Sequence, residues 1–321
     1  MVIVHQVVRK GKLELTWQYR QAVLLALLLG ALSLLTGCRS ARFIDPAQPT
    51  VTPVTHAGAP VLVGWYTSEK ASLQRLSAYR RAGVTLLVTY YLGEPYTSRW
   101  LHAAGVNHVQ LLLQPDPAWI DQGDMKQLQA FVRQYRHNAA VYGWYLYDEP
   151  DRENLPPRRL REAYLAIKAL DSHPVAVIFT TGQCLFGQGA IDPAYLTGFD
   201  LLMFDRYPFY TNLPGVRPLQ DQRTVDSNCV RSARDDHKLG PILVLQGFGK
   251  GQKDGPFTWR DPTYQETLCS FRTALAAGAS GVLFYSDQYA DARVRRNVDR
   301  IMRAHRDAHG PAPRTATAQQ C

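Results

Sequence analysis

The chain has few of the residues that bind metal ions. Its 321 residues include five cysteines and nine histidines, and no two cysteines have the C-x-x-C spacing of a zinc or redox motif. His108, His173 and His237 precede predicted β-strands rather than follow them. A metal-dependent barrel hydrolase needs His, Asp and Glu side chains at the opposite ends of the strands. We therefore expect no metal and no other cofactor.

Two other motifs are missing. No Gly-x-Ser-x-Gly occurs, which disfavours a serine esterase. The first predicted strand ends in Trp65, Tyr66 and Thr67, whereas a doubly wound open sheet normally has a glycine-rich turn there. Nothing in the sequence suggests binding to nucleic acid.

The amino-terminal segment has the pattern of a secretion signal. Basic residues precede the uncharged run Ala22–Leu35, which is short for a membrane span but suits a signal peptide. The next residues, Leu35-Thr36-Gly37-Cys38, resemble the lipobox of bacterial lipoproteins. The resemblance implies cleavage before Cys38 and lipidation of that cysteine, with Arg39 compatible with the outer membrane. We expect a lipid-anchored protein of the cell envelope, facing the periplasm or the cell surface.

These observations predict four segments. Residues 1–37 are the signal peptide, and 38–60, rich in proline and without periodicity, form a flexible tether. Residues 61–309 form the folded domain, and 310–321 are a disordered tail. Removal of the signal, with four basic residues and one acidic, lowers the formal charge from +9 to +6. Export permits disulfides among the remaining cysteines, whose pairing the spacing does not resolve: Cys184, Cys229, Cys269 and Cys321.

Strand and helix patterns alternate eight times over about 250 residues, the usual size of a (β/α)8 barrel. The strands are predicted at Val61–Thr67, Val84–Tyr91, His108–Pro115, Val141–Glu149, Pro174–Thr181, Leu201–Tyr207, Pro241–Gln246 and Gly281–Asp287. We predict an α/β fold, a single TIM barrel, and a monomer.

The fourth predicted strand, VYGWYLYDEPD from Val141 to Asp151, runs into two adjacent carboxylates and a proline. Pro150 ends the strand, so Asp148 and Glu149 lie at its carboxyl end. In a parallel barrel that end faces the active-site mouth. A structural role in a cap or an ion pair is the alternative, but an apolar strand favours a functional carboxylate.

The other strand ends supply amides, hydroxyls, carboxylates and aromatic rings. Aromatic faces stack on pyranose rings, and the polar groups hydrogen-bond sugar hydroxyls. We therefore predict a carbohydrate substrate. The predicted substrate-binding residues are Trp65, Tyr66, Tyr91, Gln114, Tyr207, Gln246, Tyr285 and Asp287.

The Asp-Glu-Pro at residues 148–150 resembles the motif that ends strand four in the large clan of (β/α)8 glycoside hydrolases. Asp205-Arg206-Tyr207-Pro208 is similar to a strand-six motif of some members. The resemblance implies Glu149 as general acid/base. The clan has a second glutamate, the nucleophile, at the end of strand seven, where this chain has Gln246. A neutral amide cannot form the glycosyl ester of the two-step retaining mechanism.

Three alternatives remain open. Asp205 or Asp287 supplies a second carboxylate, and a separation of roughly 6.5–9.5 Å from Glu149 would indicate an inverting enzyme. Alternatively, catalysis is substrate-assisted and Asp148 orients an acetamido group, although neighbouring strand residues normally point to opposite sides. In the third alternative the barrel binds glycan without hydrolysing it. The predicted catalytic residues are Glu149, Asp205 and Asp148.

Overall fold

The structure, a computed structural model, describes residues 61–67, 70–180, 191–211, 218–254 and 257–309. Cys38, Arg39 and the predicted signal, tether and tail lie outside these ranges, as do Cys184 and Cys321. No helix in the described ranges is both long enough and apolar enough to cross a bilayer.

The predicted (β/α)8 barrel is confirmed. Its eight parallel strands are β1 (Leu62–Thr67), β2 (Leu86–Thr89), β3 (Gln110–Leu113), β4 (Val141–Asp148), β5 (Val175–Thr180), β6 (Leu201–Arg206), β7 (Leu239–Gln246) and β10 (Gly281–Tyr285). They close into one sheet in the order β1-β10-β7-β6-β5-β4-β3-β2. Two short strands, β8 (Lys253–Asp254) and β9 (Phe257–Thr258), form an antiparallel hairpin in the loop after β7. Closure brings all eight carboxyl ends to one rim.

The helices begin and end at the residues that cap them. Asp116 accepts a hydrogen bond from the Ala118 backbone at 3.0 Å, and Thr263 forms a capping box with Glu266. Gly123 ends its helix in the left-handed conformation. In the described ranges the α-helices are α1 (Leu76–Ala82), α2 (Tyr96–Val106), α3 (Pro117–Gln122), α4 (Met125–Tyr135), α5 (Pro157–Lys168), α6 (Pro218–Asp235), α7 (Tyr264–Ala277) and α8 (Ala292–His309).

Two layers of apolar side chains hold the barrel together. The inner layer fills the barrel and includes Leu112, Tyr145, Ile178 and Met203, all buried. The outer layer lies between strands and helices, because alternate strand residues point to opposite faces of the sheet. Cys229 on α6 and Cys269 on α7 are buried and disulfide-bonded.

Candidate active site

An open pocket of about 290 Å³ lies at the carboxyl ends of the barrel strands. Its walls combine three carboxyl groups, one arginine and a majority of aromatic rings. The lining residues are Tyr66, Tyr90, Asp148, Glu149, Arg152, Ile178, Asp205, Tyr207, Phe248, Gln252, Trp259, Tyr285 and Tyr289. This is the mouth at which the sequence predicts the site.

Two irregularities of the backbone direct the carboxylates of Asp148 and Glu149, at the end of β4, into the pocket. The pairing of β4 with β5 shifts between Tyr145 and Tyr147, so Tyr145 and Asp148 share the inner face, and their side chains hydrogen-bond at 2.7 Å. Glu149 follows with a φ of +47°, in the left-handed region. Asp148 and Glu149 therefore both line the pocket, whereas strict strand alternation would turn one of them away.

Asp148 is held from inside the barrel by two tyrosines. Its carboxylate accepts hydrogen bonds from the hydroxyls of Tyr145 at 2.7 Å and Tyr90 at 3.1 Å. Burial raises the pKa of Asp148, and these two hydrogen bonds oppose that increase. The tyrosines thus fix the orientation of the carboxylate toward the pocket.

Glu149 and Asp205 line the same pocket, and each shifts the pKa of the other. Burial raises the pKa of both groups, and the negative charge of Asp148 adds to the increase in each. Glu149 raises the pKa of Asp205 further, whereas Arg152 and the interaction with Asp205 lower the pKa of Glu149. The increase is larger for Asp205, which is the more deeply buried of the two. Arg152 forms an ion pair with Glu149 at 3.1 Å and stabilises its charge.

Aromatic rings form most of the remaining wall. Tyr207 and Tyr285 are stacked with ring centroids 5.4 Å apart, and Phe248 packs against Trp259 at 5.3 Å. Burial raises the pKa of the Tyr207 hydroxyl, so it remains protonated at neutral pH. The wall therefore offers apolar faces and hydroxyl groups to a ligand.

Gln246 ends β7 but does not line the pocket. Its amide oxygen accepts a hydrogen bond from the Phe209 backbone at 2.9 Å. Its amide nitrogen donates to the carbonyl oxygens of Phe248 and Arg260, both at 3.0 Å. The residue is only 2% exposed. Gln246, predicted to bind substrate, instead connects the loops around the mouth through these hydrogen bonds.

Four other predicted site residues also lie outside the pocket. Asp287 is buried and ion-paired with Arg75 and Arg295. Trp65 is fully buried in the outer layer. Gln114 accepts a hydrogen bond from the Tyr91 backbone at 3.2 Å. Tyr91 itself lines a separate cleft of about 120 Å³ beside Trp119 and Phe131. These positions follow strands, but their side chains point away from the mouth.

Six of the predicted site residues meet in the pocket: Asp148, Glu149, Asp205, Tyr66, Tyr207 and Tyr285. Seven further lining residues are not among the predicted site residues: Tyr90, Arg152, Ile178, Phe248, Gln252, Trp259 and Tyr289. Phe248 and Gln252 lie in the glycine-rich loop after β7, and Arg152 lies three residues after Glu149. Phe248, Gln252 and Arg152 are all close to a strand end along the chain, and this proximity was the signal from which they could have been predicted. Among the described residues, no group of three or more His, Cys, Asp or Glu is arranged to hold a metal ion.

Comparison with known proteins gives a likeness of fold. No family model matches the chain, and no curated protein matches its sequence. Among solved structures, the β-glucuronidase of Ruminococcus gnavus is similar with a TM-score of 0.53 and 12% identity, over 70% of this chain and 43% of that one. Its complexes with D-glucuronic acid and with a C6-substituted uronic isofagomine superpose with the same score and identity. The chain thus spans under half the length of this glycoside hydrolase.

Proposed function

We propose that the protein is a lipid-anchored glycoside hydrolase of the bacterial cell envelope that acts on a poly- or oligosaccharide. The observation that carries the proposal is the meeting of Glu149 and Asp205 in an aromatic pocket at the barrel mouth. Two interacting carboxyl groups retain a proton at a pH where isolated ones have lost it. The pair can therefore supply the proton that a leaving glycosidic oxygen needs.

Glu149 is the member of the pair that meets the substrate. Its side chain is 15% exposed and reaches the open side of the pocket, whereas Asp205 is the more buried. Glu149 transfers the proton of the pair to the glycosidic oxygen, and the bond between that oxygen and C1 breaks. Water then adds to C1, and its proton returns to the carboxyl pair. The aromatic rings stack on the sugar and exclude bulk water.

A second candidate function is glycan binding without hydrolysis. Gln246 replaces the second glutamate and is committed to backbone partners, and a neutral amide cannot act as the nucleophile of a retaining enzyme. In the hydrolase, the carboxyl pair donates a proton to the glycosidic oxygen; in a binding protein, it only hydrogen-bonds the sugar.

The substitution Glu149→Gln separates the two functions. The full chain in detergent is screened against bacterial and plant polysaccharides by reducing-end detection and by a binding assay. For a hydrolase we expect Glu149→Gln to lower turnover by about 10²–10⁴-fold while binding persists, since the amide cannot donate the proton.

Glu162→Gln on α5 is the matched control, because Glu162 pairs with Arg158 and Arg159 on the outside of the barrel. Its turnover is expected to equal that of the unchanged protein. Equal turnover of the Glu149 variant would contradict the acid role. Binding without hydrolysis by the unchanged protein would favour the second candidate.

The proposed anchoring rests on the lipobox that ends at Cys38. We expect Cys38 to carry two or three acyl chains, which anchor more firmly than one. Mass spectrometry of the amino-terminal peptide and fractionation of the expressing cells measure this. The Cys38→Ser variant should be absent from the membrane fraction, whereas the control variant Cys321→Ser should remain in it. An unmodified Cys38 at an intact amino terminus would refute the anchor.

A further inference from the structure

The pocket carries an excess of negative charge, and this bears on the substrate of the proposed function. Three of its described lining residues bear carboxyl groups, Asp148, Glu149 and Asp205, against one guanidinium, that of Arg152. Even with one proton shared by Glu149 and Asp205, the four groups sum to one negative charge. A negatively charged sugar entering this pocket would be repelled, because charges interact strongly where burial lowers the dielectric.

The positive charge of Arg152 is already committed. Its guanidinium lies 3.1 Å from a Glu149 oxygen, and the arginine side chain is 51% exposed at the rim. Arg260, the nearest basic residue in the chain to Trp259, pairs instead with Glu266 at 2.6 Å. Of the loops outside the described ranges, 181–190 and 255–256 contain no charged residue, whereas 68–69 contains Glu69 and 212–217 contains Arg217. The described pocket therefore offers no second cation to a carboxylate on the ligand.

One oxygen of the carboxyl cluster still requires a hydrogen-bond donor. Oδ1 of Asp205 is buried and has no hydrogen-bond partner in the described protein, and the residue is 8% exposed. A buried acceptor without a partner costs free energy. Since Asp205 lines the pocket, a ligand that donates a hydrogen bond can satisfy this oxygen.

The aromatic wall adds a third feature that favours a cation. The rings of Tyr66, Tyr285 and Tyr207 lie around the carboxyl groups, with Tyr66 and Tyr285 centroids 5.7 Å apart. Aromatic faces attract ammonium groups through their quadrupole, most strongly where water is excluded. An ammonium group in the pocket would thus lie among both carboxylates and aromatic rings.

We propose that the pocket takes a hexosamine residue with a free, protonated amino group, in preference to a neutral sugar or a uronate. This inference rests on the proposed carbohydrate function and specifies the class of sugar. The ammonium group has three hydrogens to donate, so one can reach Oδ1 of Asp205 and the others Asp148 or Glu149. Charge and hydrogen bonding then favour the same ligand.

The test compares four sugars that differ in one substituent. Methyl glycosides of glucosamine, N-acetylglucosamine, glucose and glucuronic acid, each as both anomers, are titrated calorimetrically into the full chain in detergent at pH 7. We expect the glucosaminide to bind about tenfold more tightly than the glucoside, and the glucuronide most weakly. A tenfold ratio corresponds to about 1.4 kcal/mol.

Asp148→Asn keeps the shape of the cluster and removes one negative charge. We expect it to reduce the preference for glucosaminide over glucoside to about twofold. The control Asp235→Asn makes the same change on an exposed residue at the end of α6 away from the mouth, and it should preserve the tenfold preference. Circular dichroism of both variants verifies that they fold.

The outcomes distinguish this inference from the function on which it rests. Equal binding of glucosaminide and glucoside, or tighter binding of the N-acetyl sugar or the glucuronide, would overturn the hexosamine inference and leave the carbohydrate function standing. A preference that survives Asp148→Asn unchanged would also overturn it. Absence of binding by all four sugars, together with inactivity on polysaccharides, would reject both.

Discussion

Gln246 is the residue that most clearly distinguishes this barrel from the glycoside hydrolases that its motifs resemble. Its amide oxygen accepts one hydrogen bond from the backbone of the β6 and β7 loops, and its amide nitrogen donates two at 3.0 Å to the same loops. A glutamate could accept the first bond but could not donate the other two. The glutamine is therefore suited to bracing the loops around the mouth.

These hydrogen bonds predict the effect of placing a glutamate at position 246. We expect Gln246→Glu to lower the free energy of unfolding by about 3 kcal/mol, since a buried carboxylate would face two carbonyl oxygens. It should produce no covalent glycosyl intermediate. Urea unfolding measures the first effect and mass spectrometry of the protein with substrate the second.

Gln74→Glu, on an exposed residue, is the control and should change stability by less than about 0.5 kcal/mol. A Gln246→Glu variant as stable as the unchanged protein would show that the amide nitrogen's bonds contribute little.

At the scale of elements, β1 and β2 approach so closely at Gly64 that only glycine fits. A Cβ atom there would lie 1.6 Å from the carbonyl oxygen of Leu86, which belongs to the backbone and cannot rotate away. The approach sets the register of Gly64 opposite Leu86 and of Tyr66 opposite Val88. Gly64 thereby helps to position Tyr66 in the pocket.

We expect Gly64→Ala to destabilise the protein by at least about 2 kcal/mol, because the two strands must separate. Gly105→Ala is a matched control: Gly105 lies on α2 with no atom within 4 Å of the position of its Cβ. Alanine has the higher helix propensity, so this variant should gain about 0.5–1 kcal/mol. Thermal unfolding of both compares them, and similar melting temperatures would contradict the close approach.

At the scale of the whole molecule, Asp287 connects the start of the folded domain to its last helix, α8. It is buried after β10 and bonds with Arg75 and Tyr79 near the start of the domain and with Arg295 on α8 at 2.9 Å. Burial alone would raise the pKa of Asp287. The hydrogen bond from Tyr79 and the charges of both arginines more than offset this effect and lower the pKa below its usual value.

We expect Asp287→Asn to destabilise the protein by about 3 kcal/mol at pH 7, because it leaves two arginines without their carboxylate. A lowered folded-state pKa stabilises above the unfolded pKa of about 4, and that contribution is lost as the pH falls through the folded value. The difference between variant and unchanged protein should therefore shrink below pH 4.

Denaturant unfolding at several pH values tests this prediction. Asp307→Asn, which removes an exposed partner of Arg306, should change stability by less than about 0.5 kcal/mol. A difference for Asp287→Asn that stays constant from pH 7 to pH 3 would contradict the assigned charge pairing.

The architecture was predictable because it follows from local pattern. Eight apolar runs separated by amphipathic stretches are enough to indicate the barrel, and Asp-Glu-Pro after an apolar run is enough to position a carboxylate at the mouth.

The composition of the pocket depended on long-range contacts. Trp65 and Tyr66 are neighbours in β1, yet Tyr66 lines the pocket and Trp65 packs outside the sheet. Asp287 and Gln246 end strands as Asp205 nearly does, but partners 212 and 37 residues away along the chain engage them. The alternation of strands and helices follows from the pattern of neighbouring residues along the chain, so the sequence by itself determined it. The direction and the partners of a side chain depend on the distant segments that the closed barrel brings beside it, so only the tertiary structure decided them.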